Sequence, residues 1–293
     1  MFQIVSDGAC DFTKEEAKAF GVEVIPFYVS FGEEFLKEGV DITKPDFFKR
    51  LTSDKKLFPT TAQPNPNDYI EVCEPYLKKG QDVLILTISS KLSGSNNSAN
   101  VAANILREDY SDRQVIVIDS LNGSVAQYLI LKEIIKMRDA GLSMDEVVAL
   151  TEKVIKTTHV YFTLDSLEYL KKGGRVGPTT ALIGGALGLK PVLQLVDGKV
   201  SQLDSVRGKK NVLRLIESAL IHALTDSKDD VNISIGHILN EKDAVTVIDN
   251  LEKSLNITVT NPVVEVGATI GAHAGPKALA FAYCKKYETL GGL

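Results

Sequence analysis

Two short segments, far apart in the chain, carry side chains that could hold an anion. Residues 89–95 read Ser-Ser-Lys-Leu-Ser-Gly-Ser, and residues 270–276 read Ile-Gly-Ala-His-Ala-Gly-Pro. The first follows an apolar run and precedes a helix-periodic stretch, so unpaired backbone N–H groups and the positive end of a helix should meet its hydroxyls. The second places an imidazole among glycines, which let a ligand approach the backbone closely. Together the two segments predict a site for a carboxylate or a phosphate.

Ser93 and Gly94 are the residues of the first segment that could contact the anion directly. Ser93 lies before the helix expected from Asn96 onward, where a serine commonly caps the helix N-terminus. Its hydroxyl and the Gly94 backbone amide could instead face a ligand oxygen. Both interpretations of Ser93 are open at this stage.

His273 is the histidine best suited to a functional role. It lies between Gly271 and Gly275, and an imidazole can donate a hydrogen bond to an anion and can carry charge near neutral pH. The other histidines lack such surroundings and are interpreted as structural or surface residues; they are His159, His222 and His237. None of the four lies at metal-ligand spacing from Cys, Asp or Glu, so no bound metal is predicted.

The first half of the chain alternates strand patterns with helix patterns. The strand candidates are residues 2–5, 22–29, 83–88 and 115–118. A Thr13-x-x-Glu16 capping box begins one helix, and small apolar residues at helical spacing follow residue 95. This alternation predicts an α/β fold with a mostly parallel sheet. Polar turns follow three of the strands, at residues 7–11, 89–95 and 119–124, and carboxyl ends of parallel strands line the ligand crevice in such folds.

A proline-rich insert at residues 58–66 interrupts this alternation. Its three prolines disfavour a helix and predict an extended loop. The segment is either a rigid connector or, because Thr60, Thr61 and Gln63 can form hydrogen bonds, part of a binding site.

From about residue 143 the pattern changes. The strand candidates there are residues 160–164, 191–196, 200–206, 231–238 and 263–266, and the helix candidates are 143–155, 167–172, 211–224 and 241–255. Asp197-Gly198 is a favoured hairpin turn, and hairpins combined with crossover connections predict a mixed sheet. We place a domain boundary near residue 160, which gives α/β domains of residues 1–160 and 161–293 with a ligand cleft between them.

Two kinds of segment in the second half have both an ordinary and a functional interpretation. Residues 181–189 are apolar and rich in glycine, which fits either close helix–sheet packing or one wall of a tunnel for an apolar chain. The basic clusters at residues 171–175 and 207–210 are of a kind that usually forms solvated surface. They could also dock an acidic partner or a phosphorylated product.

Composition and charge exclude several classes of protein. The chain has 293 residues, a net charge of −5 and a pI near 5.5, which argues against binding to nucleic acid. Three widely spaced cysteines, Cys10, Cys73 and Cys284, fit reduced thiols in the cytoplasm. No apolar run reaches the length of a membrane span, and no secretory leader is apparent. We therefore expect a cytoplasmic location.

Five short motifs follow one another along the chain. They are Thr61-Ala-Gln-Pro64, Leu92-Ser-Gly-Ser95, Asp119-Ser120, Leu167-Glu-Tyr-Leu-Lys-Lys-Gly-Gly-Arg175 and Gly271-Ala-His-Ala-Gly-Pro276. In this order they resemble the motifs of the DegV family, the bacterial fatty-acid-binding proteins that serve as lipid-carrying subunits of fatty acid kinase. The resemblance runs from about residue 5 to residue 281. Departures from the family pattern, none of which removes an expected carboxylate ligand, are Gly8, Ala62, Asn96-Asn97 and Lys277.

The resemblance implies a two-domain protein with a long-chain fatty acid buried between the domains and no other cofactor. Thr61, Ser93 and His273 would hold the carboxylate, and Gly94 would lend a backbone amide. Arg207 would lie near the pocket mouth, on the surface that docks a separate ATP-dependent kinase. In that role the chain is not itself an enzyme. It presents the acid to the kinase, the acyl-phosphate passes to phospholipid synthesis, and transient contact with a membrane surface fits this transfer.

Two other functions are compatible with the same residues. Ser93 and His273 could be the nucleophile and base of a lipid hydrolase, although the chain lacks the Gly-x-Ser-x-Gly elbow. The loop at residues 89–95 could bind a phosphate or nucleotide, although it does not match the P-loop pattern.

Overall fold

The computed structural model describes residues 2–53, 58–176 and 189–291. Its strands are β1 (Gln3–Asp7), β2 (Val22–Ile25), β3 (Tyr28–Phe31), β4 (Glu34–Lys37), β5 (Thr60–Ala62), β6 (Val83–Thr87), β7 (Val115–Asp119), β8 (His159–Thr163), β9 (Leu189–Val196), β10 (Lys199–Arg207), β11 (Val231–His237), β12 (Val263–Glu265) and β13 (Leu279–Lys285). Its α-helices are α1 (Lys14–Phe20), α2 (Lys44–Ser53), α3 (Pro66–Leu77), α4 (Ser95–Asp109), α5 (Val125–Asp139), α6 (Met144–Thr157), α7 (Glu168–Lys172), α8 (Lys209–Leu224), α9 (Glu241–Leu255) and α10 (Ala268–Ala274). Within these ranges, the helices are all too short or too polar to span a lipid bilayer.

A four-stranded parallel sheet forms the first half of the molecule, in the order β2-β1-β6-β7. Every residue of β6 is buried, as expected for a parallel strand covered on both faces. Val5 and Ile85 pack towards α3 and α4. Ile4 and Leu84 belong to the core that contains α5. The predicted parallel sheet with helices on both faces is therefore confirmed.

Side-chain caps begin several helices at the predicted positions. The Thr13 hydroxyl accepts a hydrogen bond from the Glu16 backbone N–H, and the Glu16 carboxylate accepts one from the Thr13 N–H. Ser143 and Glu146 form the same box at the start of α6. A third box, at Asn65 before α3, had not been predicted. Such caps fix where each helix begins because they satisfy N–H groups that have no partner inside the helix.

A small antiparallel sheet, in the order β4-β3-β5, corrects two sequence predictions. The strand predicted over residues 22–29 is two strands, because the chain breaks at Pro26 and its halves join different sheets. The insert at residues 58–66 is extended as predicted, but it is not only a connector. Its residues Thr60–Ala62 form β5 and pair with β3.

A six-stranded mixed sheet forms the second half, in the order β10-β9-β8-β13-β11-β12. All neighbours are antiparallel except β11 and β12, which are parallel. The β9–β10 hairpin turns at Asp197 and Gly198, both with positive φ (48° and 77°), as the predicted Asp-Gly turn requires. The predicted mixed sheet is confirmed.

Helix α5 joins the two large sheets in one apolar core. Leu84 of β6 and Ala282 of β13 belong to the same buried cluster as Leu131 and Ile134 of α5. The division into domains at residue 160 remains a prediction. The glycine-rich segment at residues 181–189 lies, apart from Leu189, outside the described residues.

Candidate functional site

A narrow cavity lies between the six-stranded sheet and the turns that follow β6 and β7. The cavity has a volume of about 130 Å³, measured as the space that the centre of a water-sized sphere can occupy. Its apolar lining residues are Phe27, Ile88, Leu92, Val160, Phe162, Leu164, Leu170, Leu195, Val200, Ile238, Val266, Ile270, Ala274, Ala278, Leu279 and Ala280, together with Gly123 and Gly236. Its polar lining residues are Thr61, Ser93, Ser124, Arg175, Thr269 and His273. Such a pocket suits a mainly apolar ligand with one polar group.

Thr61 reaches the cavity because it lies on strand β5. Successive residues of a strand point to opposite faces, and Thr60 is accordingly exposed while Thr61 is half-buried. The Thr61 hydroxyl lies 2.8 Å from Nε2 of His273. Two residues separated by 212 positions in the chain are thus hydrogen-bonded at the polar end of the cavity.

His273 comes from the last turn of α10, a short helix that packs closely against its neighbours. Gly271 lies against the ring of Phe48, and a methyl group there would overlap it. A methyl group on Gly173 would overlap Nδ1 of His273. The glycines around His273 therefore serve the close packing of the imidazole and its helix.

The imidazole of His273 is uncharged at neutral pH. Burial, and secondarily the guanidinium of Arg175, lower the pKa of His273 to about 4. Nδ1 is buried and has no hydrogen-bond partner in the described part of the chain. In the unliganded protein the imidazole is therefore a neutral hydrogen-bonding group, because burial penalises the imidazolium ion.

Ser93 lines the cavity, and Gly94 is exposed next to it. Helix α4 begins at Ser95, one residue earlier than predicted, and its N-cap is Gly94. Ser93 therefore is not the N-cap residue, although its hydroxyl accepts a hydrogen bond from the Ser95 N–H at 3.2 Å. The side-chain amide of Gln63 lies so close to Gly94 that a Cβ there would be 2.9 Å from Nε2.

Arg175 is a polar residue of the cavity that sequence reasoning missed as a site residue. Its Nε donates to the Leu92 carbonyl at 3.0 Å, and Nη1 donates to the Gly173 carbonyl. The guanidinium is half-buried beside the head of the cavity instead of lying on a solvated surface. The basic cluster in the sequence does not indicate that Arg175 is half-buried, because burial depends on segments that are distant in the chain.

Alternate residues of the six-stranded sheet form the apolar floor. On β8 these are Val160 and Phe162, while Tyr161 between them packs in the core on the other face. Phe162 lies beside Ala280 of β13, and Ala280 lies beside Gly236 of β11. Gly236 is closely packed, because a methyl group there would overlap Val125 and Val266.

The geometry favours binding over either alternative chemistry. Nε2 of His273 is bonded to Thr61, and the Ser93 hydroxyl is bonded to the Ser95 N–H, so the described residues contain no Ser93–His273 pair of the kind a hydrolase needs. The mostly apolar lining does not match the charge of a nucleotide. The arrangement can hold one polar or anionic group beside an apolar chain.

Arg207 lies apart from these residues. It ends β10, is exposed, and does not line the cavity. Its carbonyl accepts a hydrogen bond from the Asn211 side chain at 2.8 Å. Its side chain is therefore available at the surface, and its role in docking a partner remains a prediction. The described ranges also contain no group of three or more His, Cys, Asp or Glu residues that could hold a metal ion.

The fold and the cavity define an α/β protein with a parallel sheet, a mixed sheet and a mostly apolar pocket that contains the hydrogen-bonded pair Thr61 and His273. Residues 1–286 match the family described as uncharacterised proteins of the DegV family. This protein belongs to the DegV family. It is 31% identical over 284 residues to a DegV domain-containing protein of Clostridium perfringens, covering 97% of this chain and 99% of that relative. It is 33% identical over 278 residues to one of Streptomyces coelicolor, with coverage of 94% and 95%.

Solved structures show the same fold. A protein of Eubacterium ventriosum, described as binding stearic acid, is similar with a TM-score of 0.93 and 32% identity over 99% of this chain and 100% of that chain. A DegV family protein of Thermus thermophilus, described by its fatty acid binding, is similar with a TM-score of 0.88 and 29% identity, covering 97% of this chain and 99% of that chain.

Proposed function

We propose that this protein binds a long-chain fatty acid and presents its carboxylate to a separate ATP-dependent kinase. The acyl chain occupies the cavity, and the carboxylate lies against Thr61, Ser93 and His273. The observation that carries the proposal is one cavity with a mostly apolar lining in which the Thr61 hydroxyl and His273 are hydrogen-bonded. The descriptions of the Eubacterium ventriosum and Thermus thermophilus proteins as fatty acid binders support it.

The energetics assign different tasks to the two parts of the cavity. Burial of a sixteen-carbon chain contributes roughly 11 kcal/mol, at about 0.8 kcal/mol for each of about 14 methylenes. Association costs of roughly 4–15 kcal/mol offset much of this gain. Each hydrogen bond to a charged carboxylate contributes about 1.5–3 kcal/mol. The head-group contacts therefore decide whether an acid is preferred over an alcohol or an ester.

The donors at the polar end suit a carboxylate that must react. Two hydroxyls, a neutral imidazole and the Gly94 amide can donate hydrogen bonds without neutralising the carboxylate by a direct ion pair, and Arg175 adds positive charge nearby. The carboxylate keeps its nucleophilic oxygen, which attacks the γ-phosphorus of ATP on the kinase. The products are an acyl-phosphate and ADP, and the acyl-phosphate passes to phospholipid synthesis.

The lipid-binding proposal is tested by native mass spectrometry of the purified protein, followed by organic extraction. We expect a stoichiometric C14–C18 free fatty acid. An empty protein that also fails to bind added oleate or palmitate would contradict the proposal.

The kinase proposal is tested by measuring ATP-dependent acyl-phosphate formation with the fatty acid kinase of the source organism. Arg207→Ala is expected to lower product formation at limiting protein while leaving the bound lipid unchanged. Arg214→Ala is the matched control, because Arg214 is an exposed arginine on the next helix. Equal activity of the two variants would remove Arg207 from the docking surface.

A further inference from the structure

The head-group site has two halves, the loop that carries Ser93 and the helix α10 that carries His273. One short turn of the chain contacts both of them. Residues Gly8–Cys10 form a single turn of 3-10 helix, with Asp7 before it and Asp11 after it. Both carboxylates are buried, with exposed fractions of 0% for Asp7 and 3% for Asp11. A buried carboxylate is retained only where donors compensate for the loss of water, so the partners of each aspartate show what the turn does.

Asp7 holds both ends of the loop that carries Ser93. Its Oδ2 accepts a hydrogen bond from the Ile88 N–H at 2.9 Å, before the loop, and from the Ser95 hydroxyl at 2.6 Å, after it. Its Oδ1 accepts from the Gln127 side chain at 2.9 Å. The loop between Ile88 and Ser95 is thus closed by one carboxylate.

Asp11 holds the start of the helix that carries His273. Its Oδ1 accepts a hydrogen bond from the N–H of Gly267, the N-cap of α10, at 2.8 Å. Its Oδ2 accepts from the hydroxyl of Ser124, a cavity residue, at 2.6 Å. Asp11 has left-handed backbone (φ 60°), a conformation that is rare outside glycine and is kept where surrounding structure requires it.

Glu38 completes the support of α10. Its carboxylate accepts hydrogen bonds from the Ala268 N–H at 2.5 Å, the Thr269 N–H at 2.9 Å and the Thr269 hydroxyl at 2.6 Å. Thr269 itself lines the cavity. Two carboxylates therefore satisfy the N–H groups at the start of a seven-residue helix, and that helix is too short to be stable without external support.

We propose that the turn at residues 7–11 sets the distance between the two halves of the head-group site: Asp7 positions the Ser93 loop, and Asp11, with Glu38, positions the helix that carries His273. These are positioning residues and do not contact the ligand. The inference rests on the proposed function, because it assigns the turn a part in carboxylate recognition. A displaced Ser93 or His273 weakens the hydrogen bonds to the acid but leaves the apolar walls in place.

The test compares affinity for hexadecanoate with affinity for hexadecan-1-ol, both by displacement of a fluorescent fatty acid. In Asp11→Ala the affinity for the acid is expected to fall roughly tenfold or more, the equivalent of one charge-assisted hydrogen bond. Affinity for the alcohol is expected to change less than about threefold. Asp11→Asn keeps an acceptor for Gly267 and a polar partner for Ser124, so it is expected to restore most of the preference for the acid.

Glu133→Gln is the matched control. Glu133 is equally buried and also accepts hydrogen bonds from a backbone N–H, that of Tyr287, and from the side chain of Asn232, but it does not line the cavity. This variant is expected to lower the melting temperature while keeping the wild-type ratio of acid to alcohol affinity. That ratio, unlike the melting temperature, does not respond to a loss of stability alone.

The possible outcomes separate the two proposals. If Asp11→Ala does not fold, Glu38→Gln is judged by the same ratio. The positioning role is overturned if the ratio of acid to alcohol affinity in the folded variants stays within threefold of the wild-type ratio. It is also overturned if Glu133→Gln changes that ratio by the same factor. Either result leaves the proposal of fatty acid binding intact. A wild-type protein that binds the acid no better than the alcohol overturns the head-group site, and the inference with it.

Discussion

The polar end of the cavity and its apolar floor are built in different ways. The floor comes from neighbouring strands of the six-stranded sheet, such as the paired residues Phe162 and Ala280, while helices and loops supply the other apolar walls. The polar end comes from unrelated elements: Thr61 from a short strand, Ser93 from a loop, Arg175 from the segment that follows α7 and His273 from α10. The floor is formed by one sheet, whereas the polar end forms only where several separate segments meet.

This difference assigns separate tasks to the two regions. A substitution on a strand can change one residue of the floor without moving the others. The polar end depends on hydrogen bonds whose geometry is fixed by distant segments, such as the 2.8 Å contact between Thr61 and His273. We expect wall variants to change chain preference and polar-end variants to change the preference for an acid.

The largest effect is expected from Thr61→Val. Valine keeps the shape of threonine but removes the hydroxyl that bonds to His273, so affinity for hexadecanoate should fall about 10- to 100-fold, the loss of one or two hydrogen bonds to a charged group. Thr60→Val is the control, because Thr60 is exposed on the opposite face of the same strand. Fluorescent fatty acid displacement measures both. Equal affinities in the two variants would contradict the comparison.

The pH dependence of stability should distinguish a variant of the polar end from a variant of the apolar walls. The folded pKa of His273 is about 4, below its usual value near 6.5, so the unfolded chain takes up this proton first as the pH falls. Wild type should lose about 2 kcal/mol of unfolding free energy relative to His273→Asn between pH 7 and pH 5. The wall variant Ala280→Leu should differ from wild type by the same amount at both pH values. Urea unfolding at each pH measures this.

Asp11 should show the opposite sign over a similar range. Burial raises its pKa from 3.8 to about 6, against the opposing effects of Lys44, Ser124 and Gly267, and Glu38 raises it further. The folded protein takes up this proton first, so wild type should gain about 1 kcal/mol relative to Asp11→Asn as the pH falls from 7 to 5. The same unfolding series measures it. A loss instead of a gain would show that Asp11 is not the titrating group.

Gly173→Ala should reduce acid binding about tenfold, the equivalent of one displaced hydrogen bond. The added methyl group would overlap Nδ1 of His273 and push the imidazole away from Thr61. Gly174→Ala is the control: it has a positive φ of 70° but no neighbour within 4 Å, so it should lower stability without changing acid binding. Displacement of a fluorescent fatty acid measures acid binding by both variants, and thermal unfolding measures their stability.

The smallest effect is expected from Ala280→Leu, in the middle of the apolar floor. Ala280 lines the cavity beside Phe162, so the larger side chain takes up part of the cavity. Affinity for an 18-carbon acid should fall roughly fivefold more than affinity for a 12-carbon acid, which corresponds to about 1 kcal/mol, the low end of the cost of overpacking an apolar site. The ratio of acid to alcohol affinity at one chain length should stay at the wild-type value. A changed ratio would show that the two regions are not independent.

Much of the fold could be predicted from the sequence because its signals are local. The capping boxes at Thr13 and Ser143, the buried strand β6 and the Asp197-Gly198 turn each depend on residues a few positions apart, and the structure has all of them. The break at Pro26 and the pairing of Thr60–Ala62 with β3 were missed. Strand pairing between distant segments leaves little trace in the sequence of either one.

Part of the candidate site could also be predicted from the sequence. The sequence by itself determined which side chains could hold an anion, and Thr61, Ser93 and His273 do line one cavity; their roles in binding remain predictions. Only the tertiary structure decided that Thr61 bonds to His273, that the imidazole is neutral and that Arg175 is half-buried beside it. The physical reason is that residue type fixes what a group can donate or accept, whereas its partners, its hydration and hence its pKa depend on segments that meet only when the chain has folded.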